Sequence, residues 1–188
     1  MSRPSHPAAQ LSPRPDDADD PAVVHAVIET PQGSVHKIAY DEARGLFLLK
    51  RALPLGMAFP YDFGFVPSTL GDDGGPLDVM VLLDGPTAPG VLVEARLIGV
   101  LEAEQHEEGK APERNDRLLA VSPLSARHGD ARALDDVGAR TIDEIERFLV
   151  RYQEALGRTF TPHGRGDAER AVALVEAGAR RAAEQRAQ

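Results

Sequence analysis

The sequence predicts an α+β fold: a small closed or nearly closed barrel with two C-terminal helices packed on its outside. Apolar and β-branched runs of strand length, separated by Gly, Pro and Asp turns, fill most of the first 121 residues. After residue 140 the apolar period changes from two to that of a helix. Strands gathered first and helices last, without alternation, is the α+β order. The chain has 188 residues, 42% hydrophobic but only 5% aromatic, so one domain forms around a core of Val, Leu, Ile and Ala.

The elements follow in order. Residues 1–20 are Pro-rich and then acidic, which predicts a disordered tail ahead of a single domain over 21–188. Val23–Glu29 is a β-branched run, Thr30-Pro31-Gln32-Gly33 a turn, and Ser34–Tyr40 a return strand, which together suggest a hairpin. Leu46–Leu49 is a third short strand, and Phe59–Phe65 an irregular strand edge around Gly64. Val79–Leu83 is a buried strand, and Val91–Leu101 a long one with Val91, Val93, Ala95, Leu97 and Gly99 on one face. Residues 102–116 read as a Glu-rich polar loop, and Leu118–Val121 as the last strand. Thr141 with Glu144 has the form of a capping box before Ile142, Ile145, Phe148, Leu149, Tyr152 and Leu156. Asp167 caps the second helix, which buries Ala171, Leu174, Val175 and Gly178.

A formal net charge of −9 argues against non-specific nucleic-acid binding and against docking on anionic lipid, both of which need a basic face. The absence of cysteine removes disulfides, thiol nucleophiles and Cys-ligated zinc, and fits a cytoplasmic location. No apolar run reaches the length that spans a bilayer, and no signal-peptide pattern opens the sequence.

The stretch with most chemistry is Asp73-Gly74-Gly75-Pro76-Leu77-Asp78. Two carboxylates flank a Gly-Gly-Pro turn at the mouth of a strand, an arrangement that suits Mg²⁺ with waters and phosphate oxygens as further ligands. Taken alone, it reads more simply as a polar turn of ordinary composition, and only the rest of the sequence moves that balance.

The order of motifs is more specific than any one of them. Val27-Ile28-Glu29-Thr30-Pro31, Lys37, Arg51, Phe59–Phe65, Thr69-Leu70, Asp73–Val79, Pro89-Gly90, Ile98–Leu101, Arg117–Val121, Phe148 and Tyr152 together resemble the soluble family I inorganic pyrophosphatases, over roughly residues 23–185. The resemblance implies a five-stranded OB-type barrel with helices outside, Mg²⁺-dependent hydrolysis of pyrophosphate to two phosphates, and a homo-oligomer, typically a hexamer in bacteria. In such chemistry metals lower the pKa of a bound water and clamp the attacking and leaving oxygens, while cationic side chains grip the phosphoryl groups.

By resemblance, Lys37, Arg51, Arg117 and Tyr152 are substrate ligands, with Arg117 standing where the family usually has Lys. Asp73 and Asp78 are metal ligands, and Glu29 reaches metal through water. The departures are as informative. Gly75 replaces the aspartate that accepts the proton of the attacking water. Ala39 stands where the family has Glu, Asn115 and Gln105 where it has metal-binding Asp, Phe63 where it has a phosphate-binding Tyr, and Gln153 where it has Lys. Glu104, Glu107, Glu108 and Asp116 are candidates to substitute for the loop carboxylates, and Asp72 for the base. Positive ligands survive while negative ones are thinned. The expectation is a pyrophosphatase relative with weakened or lost turnover and fewer Mg²⁺ ions. A non-catalytic phosphate- or pyrophosphate-binding module, or an oligomeric interaction subunit, is the alternative.

Plainer readings stand beside these. Arg51 fits an exposed strand end, Lys37 a solvated strand face, and Tyr152 a core aromatic on the apolar stripe of its helix. His25, His36 and His106 share no metal-ligand spacing, which favours surface or pairing roles.

Overall fold

Five strands hydrogen-bond into a ring in the computed structural model, which describes residues 11–187. They are β1 (Val23–Thr30), β4 (Asp62–Phe65), β5 (Asp78–Leu82), β8 (Arg117–Val121) and β6 (Leu92–Glu107). The order is β1-β4-β5-β8-β6, and β6 returns to β1 through the register Val23↔Arg96 to Val27↔Leu92. Closure leaves no free edge on the ring itself. Only β5 and β8 run parallel.

Strands β5, β6 and β8 each serve two cores because successive side chains point to opposite faces. Val24, Ala26, Ile28, Val79, Val81, Ala95, Leu97, Leu118 and Ala120 form one cluster with Val66 and Val93, joined by Ala171 and Val175 of α2 (Ala168–Arg186). Met80, Leu82, Ile98, Leu101, Leu119 and Val121 face the other way, against Ile142, Ile145, Leu149 and Tyr152 of α1 (Ala139–Glu154). Truncating a buried leucine such as Leu149 to Ala costs about 2–5 kcal/mol. The ring is also tight: a Cβ on Gly64 of β4 would stand 2.0 Å from the Val27 carbonyl oxygen of β1.

Several sequence expectations need correction. Ser34–Tyr40 does not return along β1, whose two edges are taken by β4 and β6. Instead β2 (His36–Asp41) pairs with β3 (Leu46–Ala52) as a separate hairpin. The Thr30 hydroxyl stitches the two together, donating to the Ile38 carbonyl at 2.7 Å and accepting from its N–H at 3.1 Å.

Residues 102–116 are a loop only at 108–112 and 115–116. β6 continues to Glu107 and pairs with β7 (Glu113–Arg114). Ala103 and Gln105 are buried while Glu102, Glu104 and His106 point outward, an alternation hidden by the run of glutamates. β9 (Arg158–Gly166), unread in the sequence, lies along Val100–Glu107 of β6. Its Pro162 sits at a register shift of an edge strand, where no ladder donor is required.

Helix α1 begins at Ala139 after Gly138, with no side-chain cap, so the Thr141–Glu144 capping box does not form. Glu144 pairs with Arg140 at 2.9 Å instead. Asp167 does cap α2, accepting from the Arg170 N–H at 2.8 Å.

Of the expected N-terminal tail, residues 1–10 lie outside the described residues. Residues 11–20 run along the fold: the His25 N–H donates to the Pro13 carbonyl at 2.9 Å, and Arg14 meets Glu176 at 3.4 Å. Asp20 lies 3.5 Å from Arg96 and 3.4 Å from Arg132. Among the described residues no helix is long and apolar enough to cross a membrane.

Candidate functional site

An open cleft of about 520 Å³ lies where the β2–β3 hairpin, the ring and the C-terminal end of α1 meet. Glu29 enters it from β1, Lys37 and Ala39 from β2, Arg51 from β3, and Asp73 from the loop before β5. Asp78 opens β5, Asn115 lies in the β7–β8 turn, Arg117 opens β8, and Tyr152 comes from the last turn of α1. All seven ligand candidates therefore share one cleft. Gly75 does not line it; it faces a neighbouring groove with Glu29, Phe65 and Arg186.

Arg117 is the centre of the cleft floor and only 5% exposed. Its Nη1 lies 2.7 Å from Asp78 Oδ2, donates to the Asn115 Oδ1 and reaches the Asp116 carbonyl at 3.2 Å. The Asn115 Nδ2 donates in turn to Gln105 Oε1 at 2.9 Å. The guanidinium lies 5.8 Å from the Phe160 ring centroid, and its buried Nε has no partner. Where the resemblance sets carboxylates, two neutral amides thus bond to each other and to a cation.

Glu29 is buried, and both its carboxylate oxygens are engaged. Oε2 pairs with Lys37 Nζ at 3.1 Å and Oε1 accepts from the Tyr40 N–H at 2.7 Å. Burial raises its pKa, partly opposed by the Lys37 charge and the Tyr40 hydrogen bond. Lys37 Nζ also sits 4.2 Å from the Phe63 ring centroid. Ala39 faces the same cleft without a charge.

Tyr152 is both a core residue and a lining residue of the cleft: its ring packs 5.4 Å from Phe59 and 5.9 Å from Phe148. Burial raises the pKa of its phenol. Gln153, next on the helix, is 4% exposed with its Oε1 unpartnered.

Asp73 is tied to its own turn, its Oδ1 accepting from the Gly75 N–H at 3.1 Å. Gly75 has ordinary backbone angles, and a Cβ there would meet nothing closer than Asp73 Oδ1 at 3.6 Å, so a side chain fits. Asp72 pairs with Arg181 at 3.6 Å and points away from the cleft. Glu104 and Glu108 do not line it either. Glu107 does, but is held by Lys110 at 3.1 Å and Arg158 at 3.2 Å, while Asp116 is held by Arg114 at 2.8 Å.

Among the described residues no three acidic or imidazole side chains converge, and Asp73 and Asp78, which both line the cleft, are the carboxylates that could hold Mg²⁺ with water and phosphate oxygens as further ligands. The cations are better supplied. Lys37, Lys50, Arg51, Lys110, Arg117 and Arg158 line the cleft against Glu29, Asp73, Asp78, Glu107 and Glu113. Lys50 and Arg51 are exposed and form no ion pair or side-chain hydrogen bond among the described residues. The sequence reading missed Lys50, Lys110, Glu113 and Arg158. Lys50 carried a signal as the neighbour of Arg51, whereas Arg158 belongs to the unread β9.

The chain matches the sequence profile of inorganic pyrophosphatases over residues 26–183. It is 37% identical over 156 residues to the inorganic pyrophosphatase of Nostoc sp., spanning 83% of this chain and 89% of that one. It is 39% identical over 153 residues to that of Leifsonia xyli, spanning 81% and 91%. Among solved structures, the inorganic pyrophosphatase from Thermus thermophilus superposes with a TM-score of 0.81 at 35% identity, over 93% of this chain and 99% of that one.

Proposed function

The chain belongs to the inorganic pyrophosphatase family, and from that premise we propose that its cleft binds pyrophosphate or another small phosphate-containing anion with hydrolysis weakened or lost. The family is Mg²⁺-dependent; bound metal there polarises the phosphoryl oxygens and acidifies water. In this chain Asp73 and Asp78 are the residues that would hold it, as fewer ions than an intact site takes, Asp78 only by leaving its ion pair with Arg117. Lys37, Arg51, Arg117 and Tyr152 bind the phosphoryl groups. Glu29 acts on them by positioning Lys37.

One observation carries the reading. Glu29 and Asp78 are each engaged by a cation at 3.1 Å or less, whereas Arg51 and Lys50 face the cleft uncommitted. A site of that kind attracts a polyanion more readily than it assembles several dications. Loss of a carboxylate base at Gly75 by itself lowers a rate by about 10²–10⁴.

Homo-oligomerisation is part of the proposal, as a hexamer by resemblance. Leu46, Leu49 and Leu55 on and beside the β2–β3 hairpin are 60%, 66% and 106% exposed, an apolar surface that a second copy would cover. Light scattering tests it.

The test of function is phosphate release from pyrophosphate across Mg²⁺ and Mn²⁺ concentrations, with Asp78→Ala as control, alongside thermal shift with pyrophosphate. Stabilisation with slow or no turnover is expected. Turnover at the rate of an active relative, abolished by Asp78→Ala, rejects the weakened-site reading; neither turnover nor stabilisation rejects the anion site.

A further inference from the structure

We infer that Arg117 stands in for a divalent cation, so that the cleft takes its phosphate ligand as the free anion and not as a metal complex. The inference rests on the proposed reading of the cleft as an anion site and goes beyond it in naming the form of the ligand.

The first observation is occupancy. Asp78, the carboxylate best placed on the cleft floor, has Oδ2 2.7 Å from the buried Arg117 Nη1. A metal ion at that oxygen must displace a short, charge-assisted bond to a buried guanidinium. The second is the neighbouring pair. Asn115 and Gln105 are each 7% exposed and bond to one another, so the oxygens nearest the guanidinium are neutral. Neutral amides do not offset the charge of a second dication.

The third observation is the guanidinium itself. Arg117 is fixed by Asp78, Asn115, the Asp116 carbonyl and the Phe160 ring and lines the cleft, and a guanidinium presents planar donors that match phosphoryl oxygens. Arg51 and Lys50, exposed and uncommitted, supply the remaining positive charge at the open side. Orthophosphate, uncomplexed pyrophosphate and phosphate monoesters share this chemistry.

Free Mg²⁺ then competes with the protein for the same anion. Calorimetry of the full chain with pyrophosphate and with orthophosphate, once in EDTA and once in excess Mg²⁺, reads this directly. The expected result is binding in EDTA at least as tight as in Mg²⁺. Arg117→Lys, which keeps the charge and loses the planar fork, should weaken binding in EDTA about tenfold. Asn115→Asp is the companion variant: a carboxylate beside Asp78 should weaken metal-free binding and make the remainder Mg²⁺-dependent. Its thermal melt separates loss of binding from loss of fold. Wild-type binding only in Mg²⁺ overturns the inference and leaves the anion site standing; binding in neither buffer overturns the anion site and the inference with it.

Discussion

Lys37 Nζ stands 3.1 Å from Glu29 Oε2 and 4.2 Å from the centroid of the Phe63 ring, so one ammonium is pinned between a buried carboxylate and an aromatic face. The resemblance gives Lys37 and Glu29 separate duties, one on phosphate and one on metal-bound water. Here they are a single unit. Lys37 is held ready at the cleft wall with its charge half-satisfied, and Glu29 is the group that holds it. Phe63 contributes a ring face to the cation and no hydroxyl to the ligand.

That pairing has a pH signature. Desolvation lifts the Glu29 pKa above its ordinary 4.5, with Lys37 and the Tyr40 N–H opposing only in part. A raised folded-state value means that stability from this group is fully present below the unfolded pKa and is lost as pH rises through the folded one. Glu29→Gln cannot titrate. Melting temperatures of the two proteins from about pH 4 to about pH 7 should therefore show wild type losing ground to Glu29→Gln as pH rises. A difference that is flat or opposite in sign would refute the assignment.

Gly75 is where the proposed absence of a base is most simply tested, and the backbone there accepts a side chain. Yet Gly75 opens on the neighbouring groove, and the carboxylates of the cleft proper are engaged by cations. Gly75→Asp alone should leave phosphate release from pyrophosphate close to the wild-type rate. Gly75→Asp with Gln105→Asp and Asn115→Asp should raise it about tenfold or more, because ligands for metal return together with the base. A large gain from the single variant would show that the base was the only defect.

The comparison of sequence and structure turns on the same residues. Strands β1, β5, β6 and β8 were legible because Val, Ile and Leu recur at the period of a strand, and ring closure followed from their number and order. The cleft was legible through its motifs: Glu29, Lys37, Arg51, Asp73, Asp78, Arg117 and Tyr152 all reach it. The distal half of β6 was not, because glutamates on its outer face masked the burial of Ala103 and Gln105. β9 was missed since Thr159, Pro162, Gly164 and Gly166 read as a loop, and only the open edge of β6 makes them a strand. No spacing rule foretold that Arg117 would occupy Asp78. That contact depends on the parallel pairing of β5 with β8, a tertiary fact.

Gly64 offers a test of the ring itself. Its Cα lies against the Val27 peptide, and a Cβ would fall 2.0 Å from that carbonyl oxygen and 2.9 Å from the Ile28 Cα. Backbone, unlike the end of a flexible side chain, cannot step aside without opening the β1–β4 pairing. Gly64→Ala should destabilise by at least about 1–3 kcal/mol, the usual cost of overpacking, as measured by urea unfolding. Wild-type stability in that variant would mean that β1 and β4 are further apart than described.

Gln153 separates affinity from stability. Its side chain lines the cleft at 4% exposure, and its Oε1 is buried with no donor. Gln153→Leu removes an unsatisfied acceptor beside Leu156 and should stabilise the fold by about 1 kcal/mol while leaving pyrophosphate affinity unchanged. Gln153→Lys places a further ammonium on the cleft wall; it should tighten pyrophosphate binding about tenfold, and lower the melting temperature because a cation is now partly desolvated. The opposing signs matter, since a residue with only a packing role would move both variants in stability and neither in affinity. Calorimetry and thermal melts on the two proteins decide it, and an unchanged affinity in Gln153→Lys would place the bound anion away from the end of α1.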